Sequence, residues 1–466
     1  MISRALTLGL LAVLLLVGCD VIEDHFGTCG PPLETESFTF EVEWTRVVQG
    51  NQTLTNLAPV LASRPAGVEV LLTLVDGPLR AYVFDIHATV EVLVDGGPVG
   101  SLNFALGCVR SERSALRGTI PGAWIRRGTE LLVTVHSAST NVSVPDETFV
   151  VKPIVAEVPV LEVTVVPLVV GGQFPDTSRA VYVSWLEAAR RTFAIDRYDL
   201  EVHSPLDLGL DDACDLNTKF RALQELWFFR TTQASERFFV GVLPCVVGGV
   251  ALTPGFVQVT SPGEASTRTF LHELGHNFGL RHAPCGGAPV PDPSYPYSGG
   301  VLGLPGFDAA NEAWIAATAA DLMGYCQGAW LSDYHYARSA RYRMFQERPP
   351  VLDTLDDATW PVSVLVQGEV RPDGTIRVTH AVRRFEPSDR RITTSTDTTD
   401  TVAIEVLGRG GKVLVRRDAY LVDVDHVETR LFSARIGMAE ASGLVATAVR
   451  VAYGEERSSR VLVDRD

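Results

Sequence analysis

One stretch restricts this chain more than any other: Phe270-Leu271-His272-Glu273-Leu274-Gly275-His276-Asn277-Phe278-Gly279-Leu280-Arg281-His282. It contains His-Glu-x-x-His-x-x-Gly-x-x-His. Random order produces that pattern about two times in 100,000 chains of this composition. Residues four apart share one face of a helix, so His272 and His276 present both imidazoles to one ion. Glu273 is rotated by about 100° from His272, outside the ligand shell but beside the place of a metal-bound water. Gly279 allows a backbone conformation that a side chain opposes, and lets the chain leave the helix sharply. That turn returns His282 as a third ligand. Three neutral imidazoles leave zinc one open position, whereas a structural site is closed by four protein ligands. Zinc held this way lowers the pKa of water toward about 7 and polarises a carbonyl, and a carboxylate at 273 is placed to act as general base.

The extended motif resembles the zinc helix of the metzincins, peptidases defined by this helix and a methionine turn. The resemblance implies an α/β (α+β) catalytic domain with one catalytic Zn2+, hydrolysing peptide bonds with zinc-activated water and Glu273 as base. Asp321-Leu322-Met323-Gly324-Tyr325-Cys326 fits the methionine turn, with Met323 as an apolar floor under the ligands. A methionine in an ordinary packed turn is the alternative. Tyr325 stands where astacin-like and serralysin-like members carry a tyrosine that touches zinc or steadies the oxyanion, which makes it a candidate transition-state stabiliser. A tyrosine packed in the turn is the equal alternative, and Ala283, where astacins have glutamate, departs from that subfamily. The helix is also similar to that of bacterial secreted metzincins, including ones that cleave mucin-type glycoproteins. In metzincins an edge strand above the zinc helix pairs with an extended substrate. Gly249, Val250 and Ala251 are the candidates here, with an inner strand as the alternative. Trp330 and Leu331 suggest an apolar pocket downstream, the Tyr295-Pro296-Tyr297 loop flanks or covers the cleft, and His335 reads as a helix-surface residue.

At the N-terminus Arg4 precedes an apolar run from Ala5 to Val17, too short for a stable membrane span. It ends in Leu16-Val17-Gly18-Cys19, which resembles the lipobox of bacterial lipoproteins. The resemblance implies that residues 1–18 are removed and that Cys19 carries a lipid anchor holding the protein to a bacterial membrane, on its periplasmic or cell-surface face. An ordinary secretory signal with a chance cysteine is the alternative; both lead to export. Seven cysteines are present, so six remain after Cys19. An even count in an oxidising compartment suggests three disulfides among 15 connectivities. Pairing by region gives Cys29–Cys108, Cys214–Cys245 and Cys285–Cys326. A cysteine latch, with Cys29 or Cys108 on zinc in a proform, is the sharper alternative.

The 466 residues exceed one ordinary core, and the pattern divides them into a multidomain chain. Residues 1–18 form the signal, 19–36 a tether, 37–166 an N-terminal β-sandwich-like domain, 167–348 the zinc-peptidase domain, and 349–466 a C-terminal β-sandwich-like domain. The flanking regions alternate apolar and polar residues between Asp-Gly and Gly-Gly turns, while 167–348 carries helical spacing. His87, His136, His380 and His426 fall singly in the β regions and read as structural. A formal charge of -16 excludes a nucleic-acid partner, since phosphate binding needs cationic side chains. The partners expected are a protein or glycoprotein substrate and the membrane, with the protein a monomer. Asp292, Asp308 and Asp321 have no calcium-loop spacing and read as solvated carboxylates. The competing class is a surface adhesin or glycan-binding lipoprotein with a vestigial peptidase domain; an intact Glu273 argues against it.

Overall fold

A computed structural model describes residues 35–51, 58–79, 82–109, 111–210, 216–233, 235–245, 248–262, 266–346, 362–384, 400–424, 427–438 and 446–464. The expected lipid site at Cys19, the cysteines Cys29 and Cys214, His426 and the expected boundary at 348/349 lie outside the described residues. The chain forms two compact units.

The first unit comprises Met1–Arg46, Val68–Gly118 and Glu130–Lys152. Its strands form two four-stranded sheets. In strand Ile86–Val94 the residues Ile86, Ala88, Val90 and Val92 are buried while their neighbours are partly open, the period of a sheet with one covered face. Phe38, Phe40, Tyr82 and Phe84 meet edge to face. Glu69 is buried between Arg46 and Arg117, both of which donate to it. His87 and His136 stack on neighbouring strands with ring centres 5.6 Å apart. The unit ends at Lys152, not at the expected residue 166. The segments Val47–Gly67 and Thr119–Thr129 leave it to join the second unit.

The second unit is built on one long sheet. Its eleven strands include β1 (Leu161–Val170), β2 (Tyr198–Val202), β3 (Phe238–Val242), β4 (Val250–Thr253) and β5 (Val257–Thr260). The chain then adds β6 (Val362–Val370), β7 (Ile376–Arg384), β8 (Val422–Val424) and β9 (Val427–Met438). The spatial order is β2-β1-β3-β5-β4-β8-β9-β6-β7. β2, β1, β3 and β5 are parallel, and β4 is antiparallel to β5. Helices α1 (Arg179–Thr192), α2 (Leu216–Thr232), α3 (Ser266–Asn277) and α4 (Asp333–Arg341) complete the site-bearing part.

The parallel strands are apolar on both sides because both faces are covered. Val163, Val165, Val240 and Val242 face a core shared with Tyr182, Trp185, Leu186 and Ala189 of α1 and with Phe270, Leu271 and Leu274 of α3. Their neighbours Val166, Leu168 and Phe239 face Ala222, Leu223, Leu226 and Trp227 of α2. The spacing Tyr182, Trp185, Leu186, Ala189 is the i, i+3, i+4, i+7 stripe of a helix lying on a sheet. β1 is part of this sheet, so the expected boundary at 166/167 would cut through a strand. Pattern alone cannot see this, since a doubly buried strand and a sandwich strand both read as apolar runs.

The C-terminal strands are not a separate compact unit. β8 continues the sheet from β4, and a second sheet, containing Thr401–Gly408, Val413–Tyr420, Ala446–Tyr453 and Glu456–Val461, packs against β6, β7 and β9 through Val364, Val366, Val402, Ile404, Val449 and Val451. Helix α2 joins the two parts further: Gln224 donates to Glu369 at 2.9 Å, Gln367 donates to the Gln224 carbonyl at 3.1 Å, and His380 stacks on Phe228.

Candidate metal centre

Helix α3 brings His272 and His276 to one buried face, one turn apart. It ends at Gly279, whose φ of +78° lies in the left-handed region. There the Leu280 N–H donates back to the Gly275 carbonyl at 3.0 Å and the Gly279 N–H to that of His276 at 2.8 Å, the pairing that closes a helix end with glycine. His282 then returns to the other two, its backbone paired with Pro291.

Each imidazole is oriented by a backbone carbonyl. Nδ1 of His272 lies 3.0 Å from the Leu322 oxygen, that of His276 2.8 Å from Leu280, and that of His282 2.6 Å from Pro289. A carbonyl oxygen only accepts, so Nδ1 carries the proton in each neutral ring and the Nε2 lone pair turns inward. Nε2 of His272 and His276 are 3.1 Å apart, and the ligand atoms of all three histidines lie within 4.8 Å of one another. Lone pairs this close repel one another unless a cation sits between them. A tetrahedral ion with nitrogens at about 2.0–2.1 Å sets their mutual distance at roughly 3.3 Å, so the residues fit zinc.

Met323, fully buried, follows Leu322, whose carbonyl orients His272. A Cβ at Gly275 would fall 2.5 Å from its sulfur, so only glycine between the two helix histidines lets the methionine reach the helix. The turn is fixed from several sides. Asp321 accepts from the N–H groups of Met323 and Ser332, each at 2.7 Å, from the Tyr295 hydroxyl at 3.1 Å, and from Nδ1 of His335 at 3.1 Å. Burial alone would raise the Asp321 pKa, but the His335 charge and these donors outweigh it and hold it below the usual carboxylate range. His335 is completely buried. The helix-surface expectation for it is overturned, because it packs inward from α4 onto Asp321. Arg268, at the start of α3, donates to the carbonyls of Gly324 and Gly328 at 2.7 and 3.0 Å. Cys285 and Cys326 form a disulfide across the same turn. Cys108 and Cys245 are disulfide-bonded as well.

Glu273 is 2% exposed and packs against Gly249, where a Cβ would come within 2.4 Å of Glu273 Cγ and Oε1. The Gly249 carbonyl accepts from the Nζ of Lys219, a buried residue of α2, at 2.7 Å. The three edge-strand candidates therefore start beside the carboxylate. β4 is not an open edge throughout, however, since Leu252 and Thr253 pair with Val424 and Asp423 of β8. Tyr325 is 39% exposed, its ring centre 5.3 Å from that of His282 and 6.0 Å from that of His272, beside the ligands and open to solvent.

Other expectations change. Trp330 donates to the Gly50 carbonyl at 3.1 Å and Leu331 is wholly inside the core, so neither walls an open pocket. Asp292, Asp308 and Asp321 are 6%, 3% and 0% exposed and are not solvated: Asp292 accepts from Tyr334 and the Ser294 N–H, and Asp308 pairs with Arg191. They bind loops together. Among the described residues, the three histidines are the group close enough to hold a metal. Sequence reasoning missed Lys219, Arg268 and Asn277, whose amide donates to the carbonyls of Leu252 and Val257 at 3.0 Å and ties α3 to β4 and β5. The rarity of lysine, present only at 152, 219 and 412, was the one available signal for Lys219.

Residues 246–338 match the family model for peptidase M66. That match supports a peptidase, from a zinc metallopeptidase family. It spans His272, His276, His282, Glu273, the turn at Met323 and most of α4. No curated protein matches the chain. Among solved structures, a CARDB domain from Pyrococcus furiosus in complex with di-metal ions is 19% identical, covering 27% of this chain and 99% of its own, with a TM-score of 0.16. A chaperone–substrate complex is 12% identical over 43% of this chain and 40% of its own, TM-score 0.23. A glycosyl hydrolase family 2 member from Bacteroides cellulosilyticus is 10% identical over 92% of this chain and 64% of its own, TM-score 0.19.

Proposed function

We propose that the protein is a metzincin-type zinc endopeptidase, exported and anchored through Cys19, that hydrolyses peptide bonds of extracellular or envelope proteins and glycoproteins. The observation that carries the reading is the set of three inward Nε2 lone pairs with Glu273 alongside but outside it. Bound zinc supplies Lewis acidity toward a carbonyl oxygen and toward water. Glu273 accepts the proton of the attacking water and delivers it to the leaving amine. Its packing on Gly249 holds the carboxylate in one place, so the proton travels between fixed positions. The Nδ1–carbonyl bonds hold the three rings in one tautomer and orientation. Tyr325, beside His272 and His282 and reachable from solvent, is placed to donate its hydroxyl proton toward negative charge on a substrate oxygen.

The test is a purified ectodomain loaded with zinc and offered a broad peptide library, with products read by mass spectrometry. It should bind about one zinc per chain and cleave internal bonds, and chelation should stop cleavage. Glu273→Gln should keep the zinc and lose about 10²–10⁴-fold in kcat. A zinc-loaded, folded protein that cleaves nothing in the library would defeat the reading.

A further inference from the structure

This inference rests on the peptidase reading and concerns how a substrate chain lies in the site. β4 is four residues long. Its inner side pairs with β5 through Val250 and Ala251. On its outer side, Leu252 and Thr253 are already paired antiparallel with Val424 and Asp423 of β8. Its start adjoins Gly249, which touches Glu273 and gives its carbonyl to Lys219. A strand edge accepts one neighbour about 4.8 Å away and no second chain at the same place. A peptide pairing antiparallel with β4 runs against it, so residues upstream of the scissile bond would lie along Leu252 and Thr253. β8 occupies that position, in the direction such a peptide would take.

We propose that β8 is a built-in stop across the upstream end of the cleft. The strand takes the place of substrate residues upstream of the scissile bond. Backbone recognition is then confined to residues at and downstream of the cut. The substrates it suits are chains that begin close to the scissile bond or bend away from the sheet just before it. β8 is not a removable latch. Val422, Val424 and Leu431 share one buried core with Val250, Leu252 and Val259, and lifting the strand would expose all of them. The stop is permanent and therefore sets specificity rather than activation.

The experiment is a ladder built on one peptide that the zinc-loaded ectodomain cleaves, trimmed residue by residue from each end. Trimming from six upstream residues to two should change kcat/KM less than threefold, while trimming downstream to two should lower it more than tenfold. A tenfold or greater loss on removing the third to sixth upstream residues overturns the stop and leaves the peptidase reading intact. The same ladder is titrated against Glu273→Gln by fluorescence anisotropy. Binding that weakens tenfold or more as the third to sixth upstream residues are removed also overturns the stop and leaves the peptidase reading intact, whereas a parent protein that cleaves no peptide on which to build the ladder sinks the peptidase reading and the stop with it.

Discussion

At the scale of single residues, the site is set by what faces each ring and by what is missing beside it. Leu322, Leu280 and Pro289 offer carbonyl oxygens to the three Nδ1 atoms, which leaves Nε2 no proton and lets the cluster hold a cation. Two glycines then let neighbours close in. Gly275 admits the Met323 sulfur, and Gly249 admits the Glu273 carboxylate. Gly249→Ala places a methyl 2.4 Å from Cγ and Oε1 of Glu273, and the carboxylate must move. Displacement of a reacting group by about 1 Å can cost 10²-fold, so kcat should fall at least tenfold. Zinc stoichiometry should not change, because Gly249 touches none of the ligand contacts named above. Unchanged kcat, measured beside bound zinc, would show that the base does not work from this position. The grouping of the three histidines and the left-handed Gly279 were legible in the sequence because their spacing is local. Gly249 and Glu273 stand far apart along the chain, and no local pattern joins them.

At the scale of elements, α3, the methionine turn and α4 are bound through Asp321. Its carboxylate meets the Met323 and Ser332 N–H groups and the buried His335. The pKa of Asp321 is lowered from 3.8 in the folded state. A carboxylate of that kind stabilises the fold above its unfolded pKa, and the contribution is lost as pH falls through the lower folded value. Asp321→Asn should therefore be less stable than the parent at neutral pH, with the gap closing in acid below about pH 4. Thermal melts of both proteins from pH 2 to 7 measure this. A gap independent of pH would mean that packing, not charge, holds the turn. The helical spacing read across 167–348 belongs to α1, α2, α3 and α4. The sequence misjudged His335 because burial of a histidine depends on a partner fourteen residues away in a turn.

At the scale of the whole molecule, the C-terminal strands complete the sheet that carries the candidate site. β8 covers the outer side of Leu252 and Thr253, and Gln224 exchanges hydrogen bonds with Glu369 and Gln367. Ending the chain at residue 346 would strip β4 of its partner and open the core around α2, where Val422, Val424 and Leu431 are buried. The truncated chain should not fold to a zinc-binding, soluble protein, since an exposed apolar strand edge is an aggregation site. Size-exclusion chromatography with zinc analysis decides the matter; a soluble, zinc-loaded fragment would show that the two parts are independent domains.

The sequence by itself determined the candidate metal ligands: three imidazoles and a left-handed glycine at spacings that a single helix and turn bring together. It also determined that β-rich regions flank this site, since alternation is a local property of a strand. Only the tertiary structure decided where those regions begin and end, which carbonyl orients each ring, which glycine meets the base, and which strand occupies the edge beside the zinc helix. Those are contacts between segments tens to hundreds of residues apart. Their pairing follows from shape and buried area across the whole fold, quantities that no window of sequence contains.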